Sequence, residues 1–64
     1  MGTKYLKISF DDIYQETKKA VHYEIDGKKY WIPISQIKDV DLIGKFLVLP
    51  EWLVESKGLE QYVW

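Results

Sequence analysis

The chain has no cysteine and no arginine, one histidine (His22), two prolines and four glycines in 64 residues. Without cysteine there is no disulfide to staple the fold, and no thiolate to attack a substrate or hold a metal. One histidine excludes His-pair zinc motifs and leaves only carboxylates plus His22 as a ligand set. No GxxxxGK[ST] or GxGxxG segment is present to cradle a nucleotide phosphate. Without arginine there is no bidentate phosphate clamp, and nine lysines are outweighed by ten acids for a net charge of -1. That balance predicts weak nucleic-acid binding at most. No apolar run approaches the ~18 residues of a membrane span, so no membrane partner is expected. No apolar core follows Met1-Gly2-Thr3-Lys4, and Leu6 stands where a myristoylation signal on Gly2 requires Ser or Thr. A cytoplasmic protein without leader or lipid anchor is the expectation.

The residues present are those of a folded chain. Hydrophobic residues make up 47% and aromatics 16%, too much for a disordered segment. One small domain over 1–64 is expected, with only about 60% of its unfolded surface buried.

The clearest element is a hairpin. Ala20-Val21-His22-Tyr23-Glu24-Ile25 alternates apolar and polar, Asp26-Gly27 suits the two φ > 0 positions of a type I′ turn, and Lys28-Lys29-Tyr30-Trp31-Ile32 returns. A two-residue turn sets Val21 opposite Ile32 and Tyr23 opposite Tyr30 on an apolar face. It sets Glu24 opposite Lys29, as an opposite-charge pair, and His22 opposite Trp31 on the other face. A glycine-bulge turn would shift this register by one and bring Trp31 beside Val21. Pro33 ends the strand because it has no amide proton. Ile34-Ser35-Gln36-Ile37 then reads as a tight turn that Ser35 can cap, and Lys38-Asp39-Val40-Asp41 as a polar connector.

Gly44–Leu49 reads as a strand covered on both sides. Pro50 fits the first helical position, Glu51 and Lys57 complement the helix dipole, and Gly58 fits a left-handed cap with Leu59 packing back on Val54. A helix this short needs side chains to pin it, and Trp52 and Leu53 are assigned that task. Residues 4–10 alternate as a strand. Ser9-Phe10-Asp11-Asp12 resembles a capping box, so a helical turn or loop is expected over 11–16. The resulting fold class is mainly β: a curled antiparallel sheet or SH3-like or OB-like barrel of about four strands with a short C-terminal helix. An open four-stranded sheet with one covering helix is the alternative.

One set of motifs is familiar. Glu16-Thr17-Lys18-Lys19-Ala20-Val21, Asp26-Gly27 and Trp31-Ile32-Pro33-Ile34-Ser35-Gln36-Ile37 are followed by Leu49-Pro50-Glu51-Trp52-Leu53 and Lys57-Gly58-Leu59. Over residues 16–59 the chain resembles small bacteriophage and prophage proteins with a WIP-x-SQI centre and a PEWL…KGL tail. The resemblance implies an accessory factor of a mobile element, in a setting that also encodes recombination and counter-defence. It carries no catalytic motif.

Chemistry-bearing constellations are sparse. A serine triad would need His22 as base, and Ser35 lies beyond the strand end, where a turn cap explains it. Asp11-Asp12 and Asp39-x-Asp41 read as solvated turn acids, so no metal and no cofactor is expected, and no enzyme. The strong signal is aromatic: three Trp, five Tyr and two Phe. Phe10, Tyr23, Tyr30, Phe46 and Trp52 are assigned to the core, which leaves Tyr5, Tyr14, Trp31, Tyr62 and Trp64 partly wet. Interfaces anchor on such residues. The expected function is a non-catalytic protein-binding module, an adaptor or inhibitor. It would bind through Trp31 with His22, Lys29 and Glu24, and self-associate through the tail at Tyr62 and Trp64. The alternative is single-strand nucleic-acid binding, with bases stacked on wet aromatics and Lys4, Lys7, Lys18, Lys19, Lys28 and Lys29 on phosphates.

Overall fold

The computed structural model describes residues 3–64; the leader and lipid-anchor readings made on Met1 and Gly2 lie outside the described residues. Six strands form: β1 (Tyr5–Ser9), β2 (Asp12–Glu16), β3 (Ala20–Ile25), β4 (Lys28–Pro33), β5 (Asp39–Asp41) and β6 (Phe46–Pro50). They are followed by helix α1 (Glu51–Lys57) and a short 3₁₀ turn at Glu60–Tyr62. The strands divide into two antiparallel sheets, ordered β1-β6-β5 and β2-β3-β4. The mainly β class is as read from the sequence. The single curled sheet or barrel of about four strands is not found, because two further strands form and the sheets stay separate.

The central hairpin has the register that Asp26-Gly27 dictates. Val21 pairs with Ile32, His22 with Trp31, Tyr23 with Tyr30 and Glu24 with Lys29. Asp26 and Gly27 both have positive φ, 54° and 79°, as a type I′ turn requires. The helical turn expected over 11–16 is instead β2, paired with β3 and bulged at Tyr14 between the Ile13 and Gln15 pairs. The polar connector at 38–41 contributes β5, three residues paired to β6. Ile34–Gln36 is the expected tight turn, a 3₁₀ turn without a side-chain cap.

The chain crosses between sheets at Phe10-Asp11. The Phe10 amide donates to the Lys45 carbonyl on the first sheet's side, and the next amide, Asp11, donates to Glu24 in β3. Both sheets and the helix share one core of Ile8, Phe10, Val21, Tyr23, Ile25, Ile32, Leu47, Leu49, Leu53, Val54 and Leu59. Phe10 meets Tyr23 edge to face at 4.9 Å. The core is mostly aliphatic. Phe46 is half-buried on the side of β6 opposite Leu47, and Trp52 is 54% exposed; both depart from the sequence assignment. At 100° per residue Leu53 and Val54 share the inward side of α1, and Trp52 is turned away from it.

α1 ends as its sequence dictates. Gly58 is left-handed (φ 70°, ψ 35°). Its amide donates to Glu55, and the Leu59 amide donates to Val54, which is the Schellman pair. The tail then returns to β1: Val63 bridges Ile8, and the Trp64 amide donates to Lys7.

Candidate functional site

Alternation along β3 and β4 sends Val21, Tyr23, Ile25 and Ile32 inward and therefore His22, Glu24, Lys29 and Trp31 outward. His22 and Trp31 stack in parallel, 4.4 Å between centroids and 6° between planes. The β2 bulge adds Tyr14 to this face, 6.2 Å from His22. Trp31 stays 42% exposed, and α1 packs on β6 and β1, away from it.

Glu24 and Lys29 are opposite one another, but their charges do not touch directly. The Tyr14 hydroxyl donates to Glu24 Oε1 at 2.6 Å, and Lys29 Nζ lies 4.5 Å from the centre of the Tyr14 ring. Tyr14 therefore stands between the two charges. The bond to Glu24 raises the Tyr14 pKa above its ordinary value, with smaller contributions from desolvation and from the acids Glu24, Asp12 and Asp11. Tyr14 was missing from the sequence-derived face because the bulge breaks the alternation that would have marked β2 as a strand.

The structure places Tyr62 and Trp64 elsewhere. The Tyr62 hydroxyl accepts from Gln61 Nε2 and donates to Asp26 Oδ2, each at 2.7 Å. The bond to Asp26, with lesser desolvation, raises the Tyr62 pKa. Tyr62 also packs against the core, so its phenol fastens the tail to the hairpin tip. Trp64 lies on the outer face of the first sheet, where its indole N–H donates to Ser9 Oγ and its ring tilts against Phe46 at 5.6 Å. Lys7 Nζ sits 4.0 Å from the Phe46 ring centre and 4.5 Å from that of Trp64. Trp64 remains 67% exposed. Each sheet thus carries an aromatic and lysine cluster on its outer side.

A further surface lies outside the residues that the sequence pattern marks. A groove of about 420 Å³ opens between the sheets, lined by Ile13, Ile34, Ile37, Val40 and Leu42, with Glu16 and Lys38 beside them. Next to Leu42, at the β5–β6 turn, Ile43 is 97% exposed. The Asp41 carboxylate holds this turn by accepting from the Ile43 and Gly44 amides. The available signal was Leu42-Ile43 between Asp41 and Gly44, two large aliphatic residues where turn chemistry favours polar ones.

Among the described residues, no three His, Cys, Asp or Glu side chains come together to hold a metal ion, and no helix is long and apolar enough to cross a membrane. Comparison with protein-family models, curated proteins and solved structures gave no match to this chain.

Proposed function

We propose that this chain is a non-catalytic protein-binding module, an adaptor or inhibitor of the accessory type that its phage-like motifs resemble. The observation that carries the reading is the open outer face of the β2-β3-β4 sheet, where Trp31 stacks on His22 and is flanked by Tyr14, Lys29 and Glu24. A rigid, half-wet indole rimmed by both charge signs matches the composition of interface anchors. The test is affinity capture with wild type and Trp31→Ala as parallel baits. A protein retained by the first and lost by the second supports the proposal; identical captures overturn it.

A second reading, single-strand nucleic-acid binding, draws on the lysines seated over exposed rings: Lys7 at Trp64, Lys29 at Tyr14 and Lys38 at Tyr5. Stacked bases and phosphates could use such pairs. Asp11, Asp12 and Glu24 stand beside Tyr14 and repel a phosphate track there. Labelled oligonucleotides titrated at low and physiological salt separate the two. A sub-micromolar dissociation constant at physiological salt would reverse their order.

A further inference from the structure

Two three-stranded sheets have four edges, and three of them carry a covering segment or a carboxylate that takes an edge amide. The tail lies along β1 through the Ile8–Val63 bridge and the Trp64 amide. On β5 the Val40 amide donates to Asp39 Oδ1, and on β2 the Ile13 amide donates to Asp12 Oδ1, so each strand occupies an edge donor with the preceding carboxylate. β4 has no such device. In a two-residue hairpin the pairs flanking the turn exchange ladder bonds, here Ile25 with Lys28 and then Tyr23 with Tyr30 and Val21 with Ile32. The Ile34 amide bonded to Lys19 continues the same alternation. The Lys29 and Trp31 backbone groups therefore face away from β3, and no described group accepts from their amides. Lysine side chains commonly guard such edges. The Lys29 ammonium is instead drawn across the sheet to the Tyr14 ring, which leaves the edge uncovered.

We propose that β4 pairs antiparallel with β4 of a second copy of this chain, joining two sheets into one across a twofold axis. The edge is chemically self-complementary in one register. Setting Lys29 against Trp31 of the second copy, with Tyr30 facing Tyr30 on the axis, uses every outward N–H of both strands. It also sets each lysine stem beside the other copy's indole, where the ammonium can exchange the Tyr14 ring for the indole face. The adjacent registers fail. One puts Lys29 against Lys29, like charges face to face. The other sets Trp31 against Trp31 and Lys29 against Pro33, which has no N–H to give. This pairing uses the backbone of β4 and needs no third protein, so it stands independently of the partner-binding proposal above.

The test is sedimentation velocity of the purified chain from about 10 μM to about 1 mM, the weak end of specific association. Amide NMR spectra are taken over the same series. The expected result is a sedimentation coefficient that climbs toward the dimer as concentration rises. The Lys29 and Trp31 amides shift in step and exchange more slowly with solvent. Trp31→Lys keeps the edge donors but sets lysine against Lys29, and should weaken association by about tenfold or more. If that variant does not fold, the wild-type amide map still decides. A single monomeric species throughout overturns the proposal. So does association whose shifts gather at Leu42 and Ile43, or at Val63 and Trp64, and spare β4.

Discussion

The Tyr62 hydroxyl donates to the Asp26 carboxylate across 36 positions of sequence, fastening the C-terminal turn to the tip of the central hairpin. That bond exists only while the phenol keeps its proton, and it raises the Tyr62 pKa above the usual 10.0. Tyr14 is raised chiefly by its bond to Glu24, and Tyr23 chiefly by burial. All three hold their protons more tightly folded than unfolded. Their contribution is complete below the ordinary tyrosine value and is lost as pH rises from there through the folded values. The melting temperature should be insensitive to these groups at pH 8 and fall above about pH 10. Tyr62→Phe should lower it at pH 8 and flatten the alkaline decline. Thermal melts across pH check both.

Gly27 and Gly58 have φ of 79° and 70°, and a Cβ built on either meets nothing within 4 Å. The cost of a side chain there is therefore conformational, with no clash to relieve. Gly58→Val and Gly27→Val should each destabilise by roughly 1–2 kcal/mol, because β-branched residues resist the left-handed region. Denaturant unfolding measures this, and a wild-type midpoint for either variant would contradict the cap or the turn.

Trp31 and Phe10 should separate in a stability assay. Trp31 is stacked but half-exposed on an edge strand, so Trp31→Ala should cost about 1 kcal/mol, the scale of a lost aromatic pair. Phe10 is buried against Tyr23 where the chain changes sheets. Phe10→Ala should cost about 3–5 kcal/mol. A domain this small has only about 3–10 kcal/mol in total, so that loss removes a large share of it and should show as a sharply lowered melting temperature by circular dichroism.

Asp12 and Asp39 each accept from the amide of the following residue at a strand edge. Neither side chain is buried, so Asp12→Ala and Asp39→Ala should leave stability within about 0.5 kcal/mol. The double variant exposes two edge donors beside the aliphatic groove and should aggregate at concentrations where wild type stays clear. Light scattering during concentration is the readout.

The hairpin register, the left-handed Gly58 and the outward placement of Trp31 were legible because each follows from local chemistry. Asp-Gly admits a type I′ turn, Lys57-Gly58-Leu59 closes a helix, and alternation through a known turn assigns faces. β2 was not legible. Asp12-Ile13-Tyr14-Gln15-Glu16 has one inward apolar residue and a bulge, and Ser9 to Asp12 mimics a helix start. β5 was missed because Asp-Val-Asp is three residues long and rich in a strand-disfavoured type. These two omissions hid the groove, whose walls they help form. The Glu24–Lys29 pairing follows from the turn, yet the rotamers that send both side chains to Tyr14 depend on β2 being present. Trp52 is assigned to the core as a pin for the helix, but the angular position of Leu53 and Val54 on α1 decides burial and leaves Trp52 exposed.

The Ile8–Val63 bridge has a consequence for biosynthesis. β2, β3 and β4 are joined by short turns, and their pairings can form soon after residue 33 leaves the ribosome. β1 cannot take its place until β6 and then residue 63 have emerged, since its partners lie at the far end of the chain. In that interval Leu6 and Ile8 wait uncovered behind a hairpin that is already formed. A chain truncated before residue 46 and held on the ribosome by a linker that spans the exit tunnel should therefore protect β3 and β4 from proteases and leave β1 open to them.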